Sequence, residues 1–143
     1  MENGVSFGAL DLNHDERFQR LRAQLGVTAF GLNLVLLRPG QRGRIHRHLH
    51  QEEVYVVLQG TLTLIVEGTE HDLPRGRLAR VAPDVRRQLV NRTAETLAIL
   101  AVGGSSGHEG RDGRAYESWE ETGEGRPPQE VPLPEDVPVE HRP

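Results

Sequence analysis

Between Val27 and Val102 the apolar residues come in runs of four to eight, separated by turn-forming residues. In Thr61–Val66, Leu62, Leu64 and Val66 alternate with Thr61, Thr63 and Ile65. That period of two is the mark of a β-strand with one face buried. TAFGLNLVLL, RIHRHLH, EEVYVVL and LAILAVG read the same way. Between the runs stand the turn RPGQRG, the lone Gly60, and Glu67-Gly68-Thr69-Glu70, which reads as a hairpin connection. Many short strands with no helices between them predict an antiparallel sandwich or barrel.

The flanking segments follow other patterns. Residues 1–12 read as an irregular arm. Asn13, with Glu16 three residues on, resembles a helix start, Phe18, Leu21 and Leu25 share one helical face, and Gly26 is a natural stop. A short amphipathic helix is therefore predicted over about 13–25. Beyond Val102 the chain turns Gly-rich (GGSSGHEG), then Pro- and Glu-rich. Tyr116 and Trp119 could anchor a turn of helix. Prolines exclude a central strand from the remainder, so an extended or mobile tail is expected. The organisation expected is thus an arm and helix over 1–26, a β-domain over 27–102 and an extension over 103–143.

Composition narrows the function. A hydrophobic share of 36% fits one core with polar extensions, and aromatics at 4% leave aliphatic residues to fill it. A net charge of −4 gives no reason to expect nucleic acid or an anionic membrane as partner. The absence of cysteine excludes disulfides, thiolate metal sites and cysteine nucleophiles. The start is neither basic nor apolar, and the apolar runs are strand-sized, so a soluble cytoplasmic protein is expected. No Gly-x-Ser-x-Gly motif supports serine-hydrolase chemistry, and GGSSGHEG lacks the ending of a phosphate loop.

The candidate chemistry lies in PGQRGRIHRHLHQEEVYVVLQG. His46 and His48 are two apart, so on a strand their imidazoles share a face. Glu53 opens the next strand, and its phase, shared with Tyr55 and Val57, favours it over Glu52. Two histidines and a carboxylate with open positions suit one divalent transition metal ion: Fe, Mn, Zn or Ni. His50 could join the set from beyond the strand.

This segment resembles the first motif of the cupin superfamily: Gly, five residues, His-x-His, three or four residues, Glu, six residues, Gly. Here Gly40, His46, His48, Glu53 and Gly60 match every position. The resemblance implies an all-β cupin (double-stranded β-helix, or jelly-roll) barrel with His46, His48 and Glu53 as inward metal ligands and Tyr55 beside them. The family's second motif normally supplies a fourth ligand, a histidine. Gly76, Pro83 and Asn91 mark that segment, but Val85 replaces a glycine and there is no histidine. The ligand position falls on Gln88 counted from Pro83, or on Arg87 counted from Asn91. Gln88 could bind a metal through its amide oxygen; Arg87 could not, and would instead repel it or hold an anion.

Several arginines crowd the same stretch: Arg75, Arg77, Arg80, Arg86 and Arg87. They could line a site that captures a carboxylate or phosphate of the substrate, but an exposed, acid-paired face is expected, with Arg86 or Arg87 as the exception. His14, His71, His108 and His141 read as solvated. The function implied is that of a metal-dependent enzyme on a small molecule, oxygenase or isomerase, with Tyr55 and Arg87 as candidates to orient substrate. The alternative is a non-catalytic ligand- or metal-binding module; a metal-free barrel is a third reading. Small cupins commonly pair, so a homodimer is expected.

Overall fold

The computed structural model describes residues 4–104 and 112–142. Most of the Gly-rich segment, His108 included, lies outside the described residues. The strands are β1 (Phe18–Arg20), β2 (Gly31–Leu37), β3 (Ile45–His48), β4 (Glu52–Gln59) and β5 (Thr61–Val66), with one short helix, α1 (Leu21–Leu25), between the first two. They continue as β6 (Thr69–Pro74), β7 (Leu78–Val81), β8 (Arg87–Val90), β9 (Leu97–Gly104) and β10 (Gly113–Tyr116). Two five-stranded antiparallel sheets result, in the orders β1-β2-β9-β4-β7 and β10-β3-β8-β5-β6. The all-β expectation holds. No helix among the described residues is long and apolar enough to cross a membrane.

Alternation along the strands builds a core between the sheets. Val35, Leu37, Tyr55, Val57, Leu97 and Ile99 from the first sheet meet Leu62, Leu64 and Leu89 from the second. Two turns set the register. Glu67 and Gly68 both take positive φ, 45° and 85°, in the two-residue loop joining β5 to β6, as the twist of a tight hairpin demands. Gly60 takes φ 81°, and a Cβ there would sit 3.1 Å from the Thr96 carbonyl oxygen, so the β4–β5 turn requires glycine.

The outer faces are covered by the two ends of the chain. Leu21 of α1 packs with Leu34, Leu36 and Ala98 on the first sheet. The helix is shorter than predicted. Residues Phe18–Arg20 pair instead with Val35–Asn33, because the free edge of β2 offers hydrogen bonds that outweigh an isolated turn of helix. Asn13 caps nothing; its N–H goes to the Asp11 carboxylate and that of Glu16 to the His14 ring. Gly26 does close the helix, in the left-handed conformation.

The C-terminal tail is extended apart from short 3-10 turns at Pro128–Glu130 and Val139–His141, and it lies on the second sheet. Val137 packs with Ile65, Val90 and Trp119, and Val131 is also buried. The Val137 N–H donates to the Gly40 carbonyl at 2.7 Å, and Arg44 Nε to that of Val131 at 2.6 Å. Each buried valine contributes roughly 1.5–3 kcal/mol. Tyr116 ends a strand rather than starting a helix, and the Arg86 guanidinium lies over both its ring and that of Trp119, 5.3 and 5.6 Å from the centroids. Strand β10 backs the histidine strand at the sheet edge, pairing Gly113 with His48 and Ala115 with His46.

Candidate metal centre

His46 and His48 project from the same face of β3, their ring centroids 5.3 Å apart. Glu53 comes from the facing sheet, on β4. Its Oε1 lies 3.2 Å from His48 Nε2 and 3.8 Å from His46 Nε2. One ligand atom from each of the three residues falls within a 4.8 Å cluster.

The other ring nitrogens fix the tautomers. His46 Nδ1 is 3.1 Å from the Arg44 carbonyl oxygen, which can only accept, so Nδ1 carries the proton. His48 Nδ1 is 2.8 Å from Asp112 Oδ1. Asp112 is buried, and burial alone would raise its pKa. The His50 N–H, His48, and the N–H and side-chain amide of Gln51 all donate to it and hold the carboxyl at about 2. It is thus an obligate acceptor, and His48 Nδ1 also carries the proton. With Nδ1 of each ring occupied, what remains toward Glu53 is Nε2, and in the neutral tautomer two Nε2 lone pairs face a carboxylate oxygen. That arrangement calls for a positive charge among them, a metal ion or a proton. Such a donor set suits the divalent ions expected from the sequence.

Glu53 has further partners in the core. Tyr55 donates its hydroxyl to Oε1 at 2.6 Å, and Arg87 donates to Oε1 at 3.0 Å and to the Tyr55 oxygen at 3.2 Å. A third bond from Arg87 reaches the Val85 carbonyl at 2.6 Å. Burial would push the Glu53 carboxyl up, but the His46 and His48 rings, when protonated at Nε2, outweigh it and hold the carboxyl well below the usual range. Burial and the charge of Glu53 together push the Tyr55 phenol well above its ordinary value. For His48, burial works against protonation, but Glu53 wins and raises its pKa.

The register decides between the two residues at the fourth position. Arg87 pairs directly with His46, and points inward with no exposed surface. Gln88, one residue on, takes the opposite face of β8. It pairs with Ile65, donates to the Gly43 carbonyl at 2.9 Å, and borders a separate outer pocket beside Ile45 and Tyr116. Gln88 is therefore not brought to the cluster, because a one-residue shift along a strand reverses the face. His50 is exposed and supplies only its N–H, to Asp112. Tyr55 and Arg87 turn their polar atoms to Glu53 and hold its carboxylate, and Tyr55 also lines the cavity beside the cluster. Of the other arginines, Arg80 pairs with Glu52 and Arg86 with Glu67, while Arg75 and Arg77 are exposed.

A cavity of about 230 Å³ opens on His46, His48, Glu53 and Tyr55, with Arg17 and Arg44 in its wall. A second of about 660 Å³ reaches His48 and Glu53 from the side of Arg20 and Arg22. Sequence reasoning missed Asp112, Arg17 and Arg44. Asp112 and Arg17 lie outside the motif and Arg44 at one of its unspecified positions, and a lone acid or arginine in a polar stretch carries no local signal.

The profile of the Cupin domain family matches residues 33–103. No curated protein matches the chain in sequence. Among solved structures, a sugar phosphate isomerase of the cupin superfamily from Silicibacter pomeroyi is 36% identical, with a TM-score of 0.58. The match covers 62% of this chain and only 59% of that one. A Cupin 2 conserved barrel domain protein from Salinispora arenicola is 26% identical over 73% of this chain and 92% of that one, with a TM-score of 0.62. A cupin protein from Bacteroides fragilis shares the fold at 20% identity and a TM-score of 0.64, over 87% of this chain and 99% of that one. Motif, fold and profile agree, and the chain belongs to the cupin superfamily.

Proposed function

We propose that His46, His48 and Glu53 hold one divalent transition metal ion, and that the protein is a metal-dependent enzyme acting on a small molecule, with isomerase chemistry the better-supported class. The observation that carries the metal is the convergence of two Nε2 lone pairs on one carboxylate, each ring pinned from behind by an acceptor at Nδ1. A bound ion supplies Lewis acidity to a substrate oxygen. The chain's own residues do the positioning: Asp112 and the Arg44 carbonyl orient the imidazoles, and Tyr55 and Arg87 hold Glu53. Isomerase chemistry draws support from the likeness to the Silicibacter pomeroyi sugar phosphate isomerase.

One observation favours the alternative, a non-catalytic ligand- or metal-binding cupin. Arg87 stands where the family's fourth ligand would be, and its guanidinium weakens the hold on a cation. A homodimer belongs to the same proposal; β7 is a sheet edge, and its Leu78 is 64% exposed. Light scattering tests it, and a monomer mass rejects it.

Elemental analysis of the purified protein beside a His46→Ala/His48→Ala variant tests the metal. Near-stoichiometric metal in the wild type, lost in the variant, is expected. No metal in the wild type after reconstitution would overturn the proposal. Turnover of sugar phosphates by the loaded protein then separates enzyme from binding module.

A further inference from the structure

Arg17, on the turn before β1, and Arg44, just before β3, line the same cavity as the metal cluster. Both are half-buried. Each is tethered through one nitrogen to a backbone carbonyl: Arg17 Nη1 to Arg42 at 3.0 Å, Arg44 Nε to Val131 at 2.6 Å. Neither makes an ion pair with a carboxylate among the described residues, although Arg38, Arg47, Arg80, Arg86 and Arg92 all do. Other arginines, Arg20, Arg22 and Arg42 among them, also lack such a partner, but Arg17 and Arg44 are the two that stand in the wall of this cavity. The only carboxylate described in the cavity wall is that of Glu53, and Arg87 already pairs with it.

We infer that Arg17 and Arg44 form a phosphate-binding subsite, and that the molecule taken up beside the metal cluster is a small phosphate monoester. Two tethered guanidiniums retain free N–H groups in the planar geometry that suits oxoanions. A monoester above its second pKa, about 6, carries close to two negative charges and matches them. A cavity of about 230 Å³ is smaller than those that take drug-sized ligands, so the ligand is a small metabolite. Its phosphate sits at the arginines, and a hydroxyl or carbonyl oxygen reaches the cluster. The inference deepens the proposed function by naming a substrate class, but the arginine pair itself does not require the metal.

The test is a calorimetric titration of the full-length protein with inorganic phosphate, and separately with acetate, with metal content measured in every sample. Wild type is compared with Arg17→Gln/Arg44→Gln. Loss of two charge-assisted contacts should weaken phosphate binding by at least about tenfold, with metal content and melting temperature unchanged. Arg17→Gln alone keeps the test decisive if the double variant melts early. Phosphate binding unchanged in the variants, no phosphate binding by the wild type, or acetate bound as tightly as phosphate would each overturn the inference. The two readings fail separately. A metal-free wild type whose phosphate binding needs the arginines removes the metal and keeps the subsite; a metal-loaded protein indifferent to the arginines does the reverse.

Discussion

Replacing Arg87 with methionine tests how a cupin site accommodates a buried cation where a ligand is usual. The substitution keeps apolar volume but deletes three hydrogen bonds, to Glu53, Tyr55 and the Val85 carbonyl. In the metal-free protein it leaves the Glu53 carboxylate without its guanidinium partner. Breaking a buried pair from one side costs about 3–5 kcal/mol, on the order of a 10 °C fall in melting temperature for a chain of this size. With a divalent ion bound, Glu53 regains a cation and the loss should shrink. If about 2 kcal/mol is recovered, the thermodynamic cycle requires the variant to bind metal about thirtyfold more tightly than wild type. Denaturant unfolding with chelator and with saturating metal, plus a direct metal titration, closes the cycle. A loss below about 1 kcal/mol in chelator would refute the claim that Arg87 and Glu53 are a coupled buried pair. An equal loss with and without metal would refute the claim that the ion and the guanidinium compete for Glu53.

Three further outcomes are expected. Asp112→Asn should weaken metal binding about 10–100-fold, read by metal titration, because His48 loses the acceptor that fixes its ring. The same residue has an acid signature. Its folded pKa of about 2 lies below the ordinary 3.8, so its stabilisation of about 2 kcal/mol is complete above pH 4 and is lost as pH falls toward 2; the variant should lack that part of the acid-unfolding curve. Gln88→Ala should leave metal affinity unchanged and cost about 1 kcal/mol in denaturant unfolding, from its bond to Gly43. Val137→Ala should destabilise by about 1–3 kcal/mol if the tail is part of the folded unit, whereas a solvated tail would show no change in melting temperature.

The legible parts of the fold were those whose alternation is strong. Strands β2, β4, β5 and β9 carry long aliphatic faces and stand out, and the Glu67–Gly68 hairpin carries its own turn chemistry. Strands β6 and β7 did not, because TEHDLP and LARV lie mostly exposed and show little apolar period. Strand β8 was obscured because a buried arginine opens it. The helix was overextended because Phe18, read as helical, serves a strand edge three residues long; nothing local distinguishes those roles. The three candidate ligands were legible because spacing on a strand is geometry. Gln88 and Arg87 could not be separated by counting, since the two anchors of the second motif disagree by one residue and only register resolves a face.

The residues that the first motif does not specify carry the chemical consequence. A divalent ion held by two neutral imidazoles and one carboxylate has a net charge of +1. Arg87 raises the buried assembly to +2, the Asp112 carboxylate behind His48 brings it back to +1, and Arg17 and Arg44 add two more positive charges at the cavity wall. Such a cluster resists a cation arriving alone and favours an anion. Phosphate binding relieves the repulsion that opposes the metal, and the metal adds attraction for phosphate, so the two should bind with positive and reciprocal coupling. A coupling of 1–3 kcal/mol is usual for linked sites, so saturating phosphate should tighten metal binding by roughly 5–150-fold. Metal titrations with and without phosphate measure it. Arg17→Gln/Arg44→Gln should abolish most of the effect while leaving metal affinity in plain buffer equal or higher. If phosphate weakens metal binding instead, the anion competes for the ion rather than joining it, and the arginine pair does not serve the metal site.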